Sequence, residues 1–356
     1  MHSFLSSCRC LRPKNIVGTG SWFSPSISMA YRLTDRKLVI AMPATRRALI
    51  VLWELYMMKF TGRKTITLAF VIAAGLGICS VFLLVGWLAE PAVHAQAVPN
   101  QKPFMVFDGT LYARKPDLAV HGIRPVSIAY AGQFGAGWHR SSDTLPDKNV
   151  VQQVAREAQA RNVPVVIDIE HWPLVGAPPQ VRASLSKYMT VLQWFKEAAP
   201  GLPIGYYGAP PIRDYWKSLK SPMSKDWASF AKENDQLRPL AGAVDIIFPS
   251  LYTYYTDRGG WVRYAYAQIA EARRLANGKP VYVFIWPQYH DSNPSLKGAF
   301  LPADFWRLQL QMAKQYADGI VIWGGWGPKG RMNWDDNAAW WKVTKEFIKK
   351  LPPPQP

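Results

Sequence analysis

Between residues 103 and 350, short apolar runs alternate with amphipathic stretches. Seven runs rich in valine, isoleucine and aromatic residues have the length of strands: 104–107, 126–130, 163–169, 204–207, 244–248, 281–286 and 319–323. Near-continuous apolar runs are typical of parallel strands covered on both faces. Six further segments have helical spacing: 149–161, 180–198, 225–236, 261–276, 303–316 and 337–349. This alternation predicts an α/β fold, a distorted TIM-like (β/α) barrel of seven or eight strands.

A separate apolar segment, residues 65–89, precedes this region and contains no charged residue. It is long enough to cross a bilayer. Lys59, Arg63 and Lys64 stand directly before it and favour a cytoplasmic start. Small residues at 95 and 97 resemble a signal-peptidase site. We expect one N-terminal signal or transmembrane helix, either cleaved or retained as a membrane anchor. The following domain would then be exported, and be periplasmic, secreted or anchored outside the membrane.

These patterns divide the chain into five parts. Residues 1–64 form a basic N-terminal segment, and the true start of the protein is expected either at Met1 or near Met57 and Met58. The signal or transmembrane helix at 65–89 follows. Residues 90–102 are expected to be a linker, 103–350 the barrel domain and 351–356 a proline-rich tail.

The net charge of +18 is unevenly distributed along the chain. Residues 1–64 contain 11 Lys/Arg and 2 Asp/Glu, whereas the 267 residues from 90 onward contain 31 and 22. A basic balance can indicate nucleic acid or an acidic membrane surface. Because the densest positive charge lies beside the apolar segment, we expect a membrane partner there and no nucleic-acid partner.

Several kinds of chemistry are disfavoured in the large domain. The three cysteines, Cys8, Cys10 and Cys79, all precede it, so it contains no disulfide or thiolate site. Its histidines lack the paired spacing of a metal site, and no glycine-rich phosphate loop or serine-nucleophile elbow occurs. We therefore expect no metal and no cofactor.

Two carboxylates follow a buried strand. Asp168 and Glu170 stand two residues apart at the end of the run at 163–169, and residues i and i+2 of a strand point to the same side. They would project at the carboxyl-terminal mouth of a barrel, where barrel enzymes keep their chemistry. Two neighbouring acids do not ionise together readily, so one pKa should rise and that group could act as a general acid. An ion pair or a hydrogen-bonded strand-end cap is the alternative.

The spacing of the pair also bears on mechanism. Ordinary retaining glycosidases place two carboxylates on opposite sides of the scissile bond. Two residues on one side suit substrate assistance better, in which the 2-acetamido oxygen of the sugar attacks its own anomeric carbon. This mechanism would require an N-acetylhexosamine at the cleaved position.

Four segments, in order along the chain, resemble the hyaluronidases of glycosyl hydrolase family 56. Residues 168–172 (DIEHW) are similar to the Asp-x-Glu-x-Trp signature of that family. Residues 205–210 (GYYGAP), 248–252 (FPSLY) and 319–324 (GIVIWG) are similar to a glycine-rich turn and two strands of the same family. The signature departs at Pro173-Leu174, where animal members usually have Arg-Pro.

The resemblance implies roles for individual residues. Glu170 would be the catalytic acid/base, and Asp168 would position the acetamido group. Tyr207 and Tyr252 would contact the N-acetyl group, and Trp323 would form a wall against its methyl. The implied reaction is retaining, substrate-assisted hydrolysis of a polysaccharide or oligosaccharide containing N-acetylhexosamine.

Other aromatic residues are candidate sugar contacts. Trp172 belongs to the signature, Tyr254 follows Tyr252, and Trp326 follows the last strand. Core packing is the alternative for most of the tryptophans in the domain. Two rival functions also stay open: a non-catalytic glycan-binding or cell-envelope module on the same barrel, and a structural envelope protein. The presence of both carboxylates argues against a pure binding module.

Overall fold

The computed structural model describes residues 103–138, 143–221 and 223–352. The expected basic segment at 1–64, apolar segment at 65–89 and linker at 90–102 lie outside these residues, as does most of the tail. Within the described ranges, no helix is both long and apolar enough to cross a membrane.

Nine strands and eight α-helices are observed in the described residues. The strands are β1 (Met105–Thr110), β2 (Arg124–Pro125), β3 (Ser127–Tyr130), β4 (Val165–Asp168), β5 (Ile204–Tyr206), β6 (Tyr282–Ile285), β7 (Gly319–Gly324), β8 (Trp326–Gly327) and β9 (Gly330–Arg331). The helices are α1 (Lys148–Arg161), α2 (Pro178–Ala198), α3 (Tyr215–Ser218), α4 (Lys225–Asp235), α5 (Arg238–Ala243), α6 (Arg258–Ala276), α7 (Ala303–Tyr316) and α8 (Ala339–Ile348).

Parallel pairings connect the strands into a ring. One sheet has the order β2-β1-β7-β6 and another has the order β3-β4-β5. Residues 247–250 bridge the two, because Phe248 pairs with Tyr207 beside β5 while Ile247 and Ser250 pair with Val281 and Phe284. Since β2 and β3 are separated by one residue, the ring closes at that point. The predicted α/β fold with parallel sheets is therefore confirmed.

One predicted strand, 244–248, is replaced by isolated bridges. Pro249 lacks an amide hydrogen, so a regular ladder cannot continue through it. Its carbonyl still accepts a hydrogen bond from the amide of Phe284 at 2.8 Å. The segment therefore keeps its place in the ring without the hydrogen-bond pattern of a strand.

Aromatic side chains fill the interior of the ring. The rings of Phe107 and Tyr282 meet at 4.9 Å across the intervening strand β7, and Tyr207 meets Phe284 at the same distance. Gly205 gives room for this packing, because a Cβ there would lie 2.7 Å from a ring carbon of Phe248. Alternate side chains of a strand point into the ring, so the last of them lie at the carboxyl-terminal ends of the strands.

Candidate active site

The predicted carboxylates lie at the carboxyl-terminal end of β4. Asp168 is the last residue of the strand, where it pairs in register with Tyr130 of β3. Glu170 lies two residues beyond, with 32% of its side chain exposed. The two acids interact electrostatically, as the strand spacing predicts. They differ in depth, with Asp168 the more enclosed and Glu170 on the rim.

This difference in depth affects the ionisation of Asp168. Burial raises the pKa of Asp168 well above its usual range, and the neighbouring charge of Glu170 raises it further. The guanidinium of Arg213 opposes both effects and lowers the pKa of Asp168. The expectation that one member of the pair has a raised pKa is met at Asp168.

Arg213 is a site residue that sequence reasoning missed. Its Nη2 lies 2.5 Å from Oε2 of Glu170, and its guanidinium lies over the ring of Tyr207, 5.3 Å from the centroid. Gly208, with φ of +64°, leaves space for it, since a Cβ there would lie 3.2 Å from Nε of Arg213. An ion pair was the alternative interpretation of the two acids. It is present at Glu170, next to Asp168, whose pKa is raised.

Tyr188 fixes the loop that bears Glu170. Its hydroxyl donates to the carbonyl oxygens of Ile169 at 3.0 Å and Trp172 at 3.3 Å, on either side of the carboxylate. Tyr188 lies in α2, whose buried face includes it. The helix behind β4 thus sets the conformation of the rim, and nothing in the local sequence pattern identifies this role.

Two tyrosines lie beside the carboxyl pair, as predicted. The rings of Tyr207 and Tyr252 are buried and 5.7 Å apart, and the hydroxyl of Tyr207 lies 3.0 Å from Oγ of Ser250. Burial raises the pKa of Tyr252, and so do Tyr207 and, to a smaller extent, Asp168. The phenol of Tyr252 therefore retains its proton and can donate a hydrogen bond.

Trp323 lies next to the two tyrosines. We call the space bordered by Asp168, Tyr207, Tyr252 and Trp323 the pocket. Its indole Nε1 donates to the hydroxyl of Tyr130 at 3.0 Å, and its ring packs against Tyr252 at 5.9 Å. Trp286 meets it edge-on at 4.9 Å. Burial raises the pKa of Tyr130, and the charge of Asp168 contributes to the same rise. Tyr130 and Trp286 were not identified from the sequence as site residues.

His290 completes the enclosure on the side of Tyr252. Its ring lies 6.1 Å from that of Tyr252, and Nδ1 lies 2.9 Å from Oγ of Ser292. Burial, with a smaller contribution from Arg213, lowers the pKa of His290 to about 4. The imidazole is therefore neutral at neutral pH; Nδ1 accepts a hydrogen bond from the amide of Ser292 at 3.1 Å, so Nε2 bears the proton and can donate.

The remaining three predicted contacts lie in different surroundings. Trp172 is only 1% exposed and packs between Trp138 and Tyr188, so its position is that of a core residue supporting the loop of Glu170. Tyr254 is buried against His290 at 4.9 Å. Trp326 is half-buried in the β8-β9 hairpin. Direct sugar contact is therefore not available to Trp172 in this conformation.

No group of three or more potential metal-ligating acid, histidine or cysteine side chains occurs in the described part of the chain. The site instead assembles a carboxyl pair, an arginine, neutral phenols and an indole wall. Such a set can transfer protons and hold a neutral, amide-bearing ring against aromatic faces.

No protein-family model and no curated protein matches the chain. Among solved structures, it is similar to bee venom hyaluronidase in complex with a hyaluronic acid tetramer, with 18% identity, a TM-score of 0.49 and coverage of 70% of this chain and 97% of that one. It is also similar to an endo-1,4-beta-D-mannanase from Thermotoga petrophila, with 10% identity, a TM-score of 0.38 and coverage of 69% and 99%. A family 18 chitinase from Pseudoalteromonas aurantia has 14% identity, a TM-score of 0.39 and coverage of 64% and 77%. The α/β fold follows from the strand pairings of this chain, independently of these similarities.

Proposed function

We propose that the barrel is a glycoside hydrolase that cleaves an N-acetylhexosamine-containing glycan with retention, by substrate assistance. The observation that carries the proposal is the carboxyl pair, Asp168 and Glu170, enclosed by Tyr207, Tyr252 and Trp323. The hyaluronidase-like motifs that contain these five residues support the same assignment.

The pocket suits an acetamido group. Trp323 offers an indole face to the methyl, and the protonated phenols of Tyr207 and Tyr252 offer hydrogen bonds to polar atoms of the sugar. Asp168 in its charged form would accept a hydrogen bond from the acetamido N–H. That contact would turn the carbonyl oxygen towards the anomeric carbon and stabilise the positive charge that develops as it attacks.

Glu170 would act as the acid and then as the base. As the acetamido oxygen bonds to the anomeric carbon, the glycosidic bond breaks and the leaving oxygen takes a proton from Glu170. Water then attacks the cyclic oxazolinium intermediate and gives a proton back to Glu170, which restores the acetamido group with retained configuration. Because Glu170 is paired with Arg213 in the free protein, this role requires substrate to displace Arg213 and Glu170 to take up a proton, for which the neighbouring Asp168, whose pKa is raised by burial, is a suitable donor.

The test is a digest of hyaluronan, chondroitin, chitin oligomers and peptidoglycan glycan strands with the full chain. We expect new reducing ends from one of these polymers, and a loss on the order of 10²–10⁴ in rate in Glu170→Gln. Glu157→Gln, at an exposed residue of α1, is the matched control and should retain the activity of the parent protein. Equal release by the parent and Glu170→Gln on every polymer would refute catalysis by this site.

A thiazoline analogue of N-acetylglucosamine tests the mechanism. It mimics the cyclic intermediate and should inhibit competitively, because the pocket would bind it as it binds the transition state. An active enzyme that the analogue does not inhibit would require a separate nucleophile.

The second candidate is a non-catalytic glycan-binding module, and the Glu170–Arg213 ion pair favours it because it holds the expected acid in a salt bridge. Such a module would bind one of the polymers, and Glu170→Gln would leave both binding and the absence of products unchanged. Products that depend on Glu170 exclude this candidate.

We also propose that the barrel is exported, on the basis of the apolar segment at 65–89 and the basic residues before it. A fusion of alkaline phosphatase after residue 102 should be active in cells, because this reporter folds only outside the cytoplasm. An inactive fusion that is present in full amount would place the barrel inside the cell.

A further inference from the structure

An aromatic cluster lies on the surface near the candidate site and has no part in the proposed chemistry. Trp216 of α3 is 52% exposed, which is unusual in a domain whose aromatic rings are mostly buried. Its ring meets Tyr255 at 5.4 Å and Tyr215 at 5.4 Å, and the two tyrosines meet at 5.0 Å. We call Trp216, Tyr215 and Tyr255 the aromatic platform.

The platform belongs to the same end of the barrel as the carboxyl pair. Trp216 follows β5 and Tyr255 follows the bridged segment at 247–250, so both come after the carboxyl end of a ring segment. Arg213, which pairs with Glu170, is three residues before Trp216. The platform is thus on the rim of the candidate site.

Ring contacts link the platform to the pocket without a gap. Tyr215 meets Tyr254 at 6.1 Å, Tyr254 meets His290 at 4.9 Å, and His290 meets Tyr252 at 6.1 Å. An aromatic path therefore leads from the wall of the acetamido pocket to an exposed indole. Because Tyr252 and Tyr254 are themselves buried, this path fixes the position of the exposed indole relative to the pocket.

The short helix that bears Trp216 is held firmly. The Asp214 carboxylate accepts a hydrogen bond from the amide of Lys217 at 2.9 Å, and Nζ of Lys217 lies 2.6 Å from Glu233 of α4. Tyr215 is tightly packed against α6, since a Cβ on Gly260 would lie 2.6 Å from its hydroxyl. A preorganised ring loses little conformational freedom when it binds a ligand.

From these observations, and building on the proposed glycosidase function, we propose that the aromatic platform is a second sugar-binding subsite. It would bind a pyranose ring of the same glycan, several units from the cleaved bond, by stacking on its apolar C–H face. The charged groups beside the platform, Asp257 and Arg263, lie 3.9 Å apart as an ion pair, so neither is left to select an acidic sugar, and the ligand class is a neutral pyranose. Binding at two separated points would favour long chains over short ones.

The test measures binding in a Glu170→Gln background, so that no oligomer is cleaved. Chitin oligomers of two to six sugars and hyaluronan oligomers of two to eight are titrated calorimetrically into the full chain. In one series we expect the affinity to increase about tenfold from short to long oligomers. Trp216→Ala should remove this increase and leave the affinity for the shortest oligomer unchanged, and Trp216→Phe should restore part of it.

Tyr266→Ala is the matched control, because Tyr266 is equally exposed at 52% but packs on Tyr316, away from the site. It should bind every oligomer as the parent does. The proposal is overturned if Trp216→Ala retains the full length dependence, if it weakens all lengths equally, or if no length dependence exists in either series. None of these outcomes affects the digest assay, so the proposed activity is tested independently of the platform.

Discussion

Replacing Arg213 by glutamine should move the pH dependence of the candidate enzyme. Arg213 lowers the pKa of Asp168, whose burial and whose neighbour Glu170 raise it. If the pair needs one proton for catalysis, burial favours that proton on Asp168, and its loss sets the basic limb of the kcat/KM profile. Without the guanidinium, the pKa of Asp168 rises further, so the basic limb should move to higher pH.

The size of the shift follows from charge separation and exposure. An opposite charge within about 4–6 Å changes a carboxyl pKa by roughly 1–3 units. Arg213 retains 20% exposure and makes its direct contact with Glu170, so solvent and that contact weaken its effect on Asp168. We therefore expect the low end of the range, a shift of about one pH unit, which corresponds to about 1.4 kcal/mol.

The assay records kcat/KM from about pH 4 to pH 9 for the parent protein and Arg213→Gln. Carboxyl carbon NMR of Asp168 provides a readout that does not depend on activity. Arg258→Gln is the control, since Arg258 pairs with Asp304 at 2.5 Å on the outside of the barrel and should not change either profile. A basic limb and an Asp168 titration that stay in place, or that move to lower pH, would refute the electrostatic role of Arg213.

Three further predictions follow from the same contacts. Because the folded pKa of Asp168 is raised above its unfolded value, this group contributes stability that is fully present below about pH 4 and is lost as the pH rises through the folded pKa. Asp168→Asn should therefore melt at higher temperature than the parent, by a margin that grows from about pH 4 upward, while the exposed control Asp143→Asn shows no such trend. Gly205→Ala should lower the free energy of unfolding, measured in urea, by about 3 kcal/mol, because the added Cβ would lie 2.2 Å from the carbonyl oxygen of Ile246. A loss below about 1 kcal/mol would contradict this packing. The ring of His290 should titrate by NMR near pH 4 and stay neutral above about pH 5, and a midpoint near pH 6.5 would mean that the ring is not enclosed as described.

Six of the seven predicted strands are present because each one carries its own signal. A strand buried on both faces must be apolar along its whole length, so β4, β5, β6 and β7 stand out from the amphipathic segments beside them. The carboxyl pair was predictable for the same reason, since Asp168 is where that apolar run ends. Because residues i and i+2 of a strand point to the same face, Glu170 is expected on the same side as Asp168.

Arg213 was not predictable because its role depends on a contact between distant loops. It is 43 positions from Glu170 along the chain, in a stretch with no periodicity that would distinguish it from other arginines. The hydrogen bond between Trp323 and Tyr130 spans 193 positions. Only closure of the ring brings such residues together, and no local pattern records which loops will meet.

The tryptophans show that a local pattern also does not predict which indole rings are buried and which are exposed. Trp334 follows the last strand in loop-like sequence, as Trp326 does, yet its ring packs on Trp341 of α8 at 5.0 Å. Trp172, within the signature, is buried, whereas Trp216 is exposed. Residue type predicts that an indole will seek an apolar surface, but only the tertiary structure decides whether protein or ligand supplies that surface.

The two carboxyls of the site have the same chemistry and differ in depth. Asp168 lies inside the ring, where desolvation raises its pKa. Arg213 opposes this effect from the rim, where its guanidinium contacts Glu170 directly. Burial therefore favours a proton on the inner acid, whereas acid catalysis needs a proton on Glu170. Substrate entry would reverse this order, because an acetamido group beside Asp168 favours its charged form while a sugar at the rim displaces Arg213. Proton transfer between the two acids would then be coupled to correct binding, so the acid would become active only when a suitable sugar fills the pocket.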